Sequence, residues 1–138
     1  GDNQFPTKEQ QEKHALVVQG TDQTYQLAKK YKVKLAWGTD LLFNPANTKN
    51  QNQGILKLQK WFSNFEILKM VTHDNAELLA LSGARNPYPG KLGSIEEEAW
   101  ADLILVDGDV LKDITLLGDP ERNFAMIMKG GTIYKNRV

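Results

Sequence analysis

The sequence predicts an α/β fold on three observations: a long amphipathic helix runs into a short apolar strand, the strand ends on a Gly-Thr-Asp turn, and the last third changes to short β-type runs. Helix, short connection, buried strand, then a functional loop at the strand's carboxyl end is the order of a wound parallel sheet or barrel. At 138 residues the chain is long enough for one ordinary domain. It is too short for a complete eight-fold α/β barrel, which takes about 250 residues.

The first helix is expected to start at a capping box, Thr7 with Gln10 three residues on, and to run to Tyr31. Val17, Val18, Thr21, Tyr25, Ala28 and Tyr31 fall near one face, with Glu9, Lys13, Gln23, Gln26 and Lys30 outside it. The strand follows at Val33 to Trp37, and Gly38 lets the backbone turn sharply so that Asp40 is presented at its end. Residues 41–53, rich in asparagine, read as a surface loop near that turn. Three short helices are then expected: Gln51 to Phe62, Ser63 (a capping box with Glu66) to Val71, and Asp74 (with Glu77 three residues on) to Ser82-Gly83. Leu56, Trp61, Phe65, Leu68, Met70, Leu78, Leu79 and Leu81 supply their shared core. Proline, glycine and short apolar runs dominate from Arg85 onward, which puts a domain boundary near Gly83 and divides the chain into 1–83 and 84–138. Leu103 to Val106 and Phe124 to Met128 read as strands, and Gly130-Gly131 joins the second to Thr132-Ile133-Tyr134 as a tight hairpin.

Seventeen basic and 17 acidic residues cancel, and no stretch concentrates lysine and arginine as a nucleic-acid footprint requires. With no cysteine there are no disulfides and no thiol chemistry, and cytoplasm and periplasm fit equally. No run approaches the roughly 18 apolar residues of a membrane-spanning helix, and the polar start lacks a signal pattern.

Asp40, directly after an apolar strand and a glycine, stands where barrel enzymes hold a metal-ligating or proton-accepting group; the alternative is an Asp that caps the next turn. One carboxylate cannot hold a catalytic metal, and the chain adds only two histidines, His14 and His73, each read as a surface or capping residue. Thr39 is expected to support the turn through its hydroxyl. Asn44 and Asn47 are weak candidates for lining a substrate pocket, against the alternative of satisfying turn backbone. Trp61 and Trp100 read as core or interface residues.

Five segments, in order, resemble the C-terminal part of the amidohydrolase superfamily, in particular its imidazolonepropionase-like and Xaa-Pro or Xaa-Arg dipeptidase-like group. They are Trp37-Gly38-Thr39-Asp40, residues 75–83 (Asn75-Ala76-Glu77 onward), Lys91-Leu92-Gly93-Ser94-Ile95-Glu96, residues 101–108 (Ala101-Asp102-Leu103 onward) and residues 128–134. Two positions depart from the family pattern: Glu98 stands where glycine is usual, and Val110 where proline is usual.

The resemblance implies the last helix-strand-helix part of a (β/α)8 barrel, followed by part of a small composite β-sandwich, within a much longer protein. It implies that Asp40 binds a divalent metal, zinc in the usual case, and accepts a proton from the metal-bound water. The reaction implied is hydrolysis of a carbon–nitrogen bond in an amide, a cyclic amide or a dipeptide. The family's other ligands, a His-x-His pair, a lysine or glutamate and two further histidines, have no counterpart here, so the chain alone is expected to hold no metal and to be inactive. Asp102 is implied to fix a turn of the sandwich. A non-catalytic binding or assembly module, or a truncated product, is the competing reading. Apolar residues that would pack on absent strands make self-association the expected partner interaction, beside a small amide or peptide substrate for the longer protein.

Overall fold

In a computed structural model, residues 6–41 and 45–138 are described. The chain forms two compact units, Gly1–Lys34 and Leu35–Val138. The first is the expected helix, α1 (Lys8–Tyr31). Its capping box is made in both directions: Gln10 N–H donates to Thr7 Oγ1 and Thr7 N–H donates to Gln10 Oε1, both at 3.2 Å. Lys32 closes the helix in the left-handed region at φ 53°. Of the expected apolar face, Ala28 is buried and Thr21 and Tyr25 half-buried, whereas Val17, Val18 and Tyr31 remain exposed beside Leu16 and Leu27.

The expected strand at Val33 to Trp37 does not form: residues 33–41 join no ladder. A strand exists by pairing, and no described residues flank this segment as parallel neighbours. The sheet that is present is antiparallel and three-stranded, in the order β1 (Leu103–Val106), β2 (Phe124–Lys129), β3 (Thr132–Asn136). Leu103 faces Met128 and Ile104 faces Ile127 across the first ladder. Gly130 and Gly131 close the hairpin at φ 55° and 79°, the left-handed pair that matches strand twist. Asp102 fixes this turn, its Oδ1 accepting from Gly130 N–H at 2.6 Å.

In the sequence, a helical segment precedes the sheet: a 3₁₀ turn at Pro45–Asn50, α2 (Gln51–Leu56), a second 3₁₀ turn at Lys57–Lys60, α3 (Asn64–Lys69) and α4 (Asn75–Ala80). Ser63 caps α3 reciprocally with Glu66. The expected break before Asp74 is absent. A π turn, Met70–Asp74, carries α3 straight into α4, because Thr72-His73-Asp74-Asn75 contains no glycine or proline to stop it. Asp74 accordingly makes no capping bond.

The core overlaps the expected one in part. Ile55, Leu58, Phe62, Ile67 and Met70 are buried; of the expected set Met70 is thus buried, Leu56, Trp61 and Leu68 are half-buried, and Phe65, Leu78, Leu79 and Leu81 are exposed. Ile55 and Leu58 come from α2 and the turn after it, Ile67 and Met70 from α3 and the π turn. Against α2 packs a further 3₁₀ turn, Ile114–Gly118, which buries Ile114 and Leu117. Side-chain amides sew the two together: Asn52 Nδ2 donates to Leu117 O at 2.9 Å and Gln53 Nε2 to Gly118 O at 2.8 Å. A four-residue helix, α5 (Pro120–Asn123), leads into β2. Among the described residues no helix is long and apolar enough to cross a membrane.

Glu98, at the position where the resembled family has glycine, occupies the left-handed region at φ 65°, which strains a residue with a Cβ. Glu98→Gly removes a steric cost of about 1–2 kcal/mol and adds about 0.5–1 kcal/mol of chain entropy to the unfolded state. The expected outcome is a gain of up to about 1.5 kcal/mol, read as a higher denaturant midpoint with an unchanged slope.

Candidate functional site

Asp40 is exposed, and its backbone is left-handed at φ 49°. The sharp residue of the turn is therefore Asp40 itself and not Gly38, whose φ is not positive. Aspartate and asparagine are the side chains that best tolerate this region, so the residue type serves the turn as well as any chemistry.

What holds the turn is Asn75, whose role the sequence reading missed. Its Oδ1 accepts from Trp37 N–H at 2.8 Å and its Nδ2 donates to Trp37 O at 3.0 Å. The carboxamide satisfies both main-chain groups of Trp37, as a neighbouring strand would. A third contact, Nδ2 to Val71 O at 3.5 Å, steadies the amide against its own helix. The segment leading to Asp40 is thus tied to the start of α4 three residues before the carboxylate. The only signal in the sequence was Asn75's place in a family-like motif, since nothing local points to a partner 38 positions away.

Beside the turn opens a cavity of about 380 Å³. Trp37, Thr39, Leu41, Asn47, Asn50 and Lys57 are among its lining residues. Asn47, a sequence candidate, is therefore a lining residue. Asn44 lies outside the described residues. Glycine at position 54 lets the indole approach, since a Cβ there would stand 3.0 Å from Trp37 Cζ2.

The second polar cluster lies on the π turn and the start of α4. His73 Nδ1 is 3.1 Å from Asp74 Oδ1 and 3.9 Å from Glu77 Oε2, four residues on. The ligand atoms of these three residues lie within 4.8 Å of one another and could hold a metal ion. Reading His73 as a surface residue overlooked Glu77 at the i+4 position. Asp74 is also held by the Lys69 ammonium. Burial pushes its carboxyl up, but hydrogen bonds from Lys69 and His73 outweigh this and hold it below the ordinary range. A cation at this cluster competes with Lys69 for Asp74. His14, on α1, joins no such cluster among the described residues.

The structure resembles solved hydrolases. It matches an amidohydrolase at 29% identity and a TM-score of 0.70, covering 83% of this chain and 25% of that one. A prolidase solved with N-methylphosphonate-L-proline matches at 27% identity and 0.76, covering 94% of this chain and 30% of that one. The fold of ochratoxinase from A. niger matches at 22% identity and 0.77, over 96% and 28%. No family model matches the sequence, and a search of curated proteins found no match. The chain corresponds to a fragment of the amidohydrolase fold, as its motifs indicated, and spans 25–30% of the length of these structures.

Proposed function

We propose that this chain is the C-terminal part of a metal-dependent amidohydrolase that hydrolyses a carbon–nitrogen bond in an amide, cyclic amide or dipeptide, and that it is inactive alone. The observation that carries this reading is Asp40, set in a left-handed turn that Asn75 ties to α4, beside a cavity, in a chain matching amidohydrolase structures. On this reading residues 1–83 belong to a (β/α)8 barrel and 84–138 to a small composite β-sandwich.

The residues present fit a metal only in part. Asp40 offers one carboxylate, whereas a catalytic zinc takes about three protein ligands. The His73, Asp74 and Glu77 cluster forms its own group and does not include Asp40. The ion's remaining ligands therefore belong to sequence outside this chain, and Asp40's own part is to bind it and to accept a proton.

The test exchanges the matching quarter of the 29%-identical amidohydrolase for this chain. The chimera is expected to hydrolyse that enzyme's amide substrate, and Asp40→Asn, which keeps the left-handed turn, to lower kcat by about 10³-fold or more. Equal activity of the chimera and the Asp40→Asn variant would overturn the role. Should the chimera not fold, Asp40→Asn compared with Asp40→Ala in the isolated chain separates backbone from charge: the account expects only Ala to destabilise.

Exposed Leu16, Val17, Leu27 and Tyr31 on α1, with Ile104 and Tyr134 on the sheet, favour self-association of the isolated chain. Light scattering is expected to show oligomers, and a clean monomer at high concentration rules this out.

A further inference from the structure

We propose that His73, Asp74 and Glu77 form an exchangeable zinc site, separate from the Asp40 turn, that clamps the stretch of helix carrying Asn75. Each of the three offers one ligand atom, and these atoms lie within 4.8 Å of one another. A tetrahedral zinc with bonds of about 2.0–2.1 Å spaces its ligand atoms about 3.3 Å apart. The separations of 3.1 Å, from His73 Nδ1 to Asp74 Oδ1, and 3.9 Å, from His73 Nδ1 to Glu77 Oε2, bracket that spacing. Closing on an ion therefore takes only small side-chain turns. An imidazole nitrogen with two carboxylate oxygens suits zinc, whereas calcium and magnesium sites are built from oxygen.

The backbone brings these ligands together. Successive residues of a regular helix point about 100° apart, yet His73 and Asp74 converge on the π turn, Met70–Asp74. Glu77 approaches His73 from four residues on, the spacing of one helical face. Asp74 already attracts a cation, since the Lys69 ammonium is bound to its Oδ1. A third carboxylate comes from a different element. The loop of residues 91–96 rests on Thr72 and Ala76 at Gly93. Hydrogen bonds from Ser94 and Lys91 hold the Glu96 carboxyl of that loop below the ordinary range, and the charge of His73 adds to this, so Glu96 acts on the same imidazole. Three ligands, one of them shared with Lys69, give an affinity in the micromolar range or weaker, below that of a closed four-ligand site. The ion therefore leaves during purification without added zinc. Asn75 stands between Asp74 and Glu77 in the chain, so an ion bridging those two fixes the turn from which Asn75 holds Trp37.

Zinc chloride titrated into the intact, untagged chain tests the proposal, with binding read by calorimetry and by the His73 ring and Trp37 backbone N–H resonances. One ion per chain is expected to bind saturably and to move both resonances, and magnesium at the same concentration to move neither. His73→Gln is expected to abolish the binding and Glu77→Gln to weaken it about tenfold or more. Lys69→Met, which removes the competing ammonium, is expected to tighten it several-fold. Asp40→Asn and His14→Gln are expected to leave it unchanged. Zinc uptake that never saturates, binding that survives His73→Gln, an equal response to magnesium, or loss of binding in Asp40→Asn overturns the site. A Trp37 N–H that stays still while His73 shifts overturns the clamp.

Discussion

Gly93→Ala is expected to be strongly destabilising, costing about 3 kcal/mol. Gly93 sits at φ 74°, where any Cβ is strained. That Cβ would also stand 2.6 Å from Thr72 O and 2.9 Å from Ala76 Cβ. Both neighbours belong to the helical segment, one on the π turn and one on α4, so neither can move without displacing main chain. The glycine is thus the point at which the loop of residues 91–96 rests on the helix that carries Asn75. The loop has bonds of its own: Ser94 Oγ donates to Glu96 at 2.6 Å, Lys91 Nζ to the same oxygen at 3.1 Å, and Trp100 N–H to Lys91 O at 2.7 Å. It therefore resists the shift that would relieve the clash. Equilibrium unfolding in urea checks this: a loss below about 1 kcal/mol would show that the loop yields after all.

Asn75→Ala is expected to cost about 2 kcal/mol, because it leaves both main-chain groups of Trp37 without their half-buried partner. The effect reaches beyond stability. Freed from α4, the segment ending at Asp40 loses its anchor, and the cavity walled by Trp37 changes with it. Asn75→Asp is a sharper probe: its carboxylate still accepts from Trp37 N–H but faces the Trp37 carbonyl without a proton to donate. Both variants are expected to alter the Trp37 environment in folded protein, seen in the indole N–H resonance. An Asn75→Asp chain as stable as the parent would show that donation to Trp37 O contributes nothing.

Features set by neighbours in sequence were legible in advance. The capping boxes of Thr7 and Ser63 and the Gly130-Gly131 hairpin each depend on a few adjacent residues; Glu98 was marked only by its departure from the family pattern. Features that depend on distant partners were not. Val33 to Trp37 has the composition of a buried strand, yet it joins no ladder and is held at Trp37 by a side-chain amide. The helical core was legible at Met70 but not at Leu78, Leu79 and Leu81, which are apolar enough for a core and yet exposed. Exposed leucines of this kind agree with a chain whose packing partners lie in the rest of a larger protein. Asp40 was singled out by its place after an apolar run. The bonds of Asn75 to Trp37 and the approach of Glu77 to His73 arise only in the folded chain.

The measurement closest to the central claim is the zinc content of the purified chain, compared with that of the Asp40→Asn variant. If Asp40 is one ligand of a site completed elsewhere in a longer amidohydrolase, zinc will be well below one ion per chain and the same in both. One zinc per chain that disappears with Asp40→Asn would contradict this, because the chain would then build a whole metal site of its own.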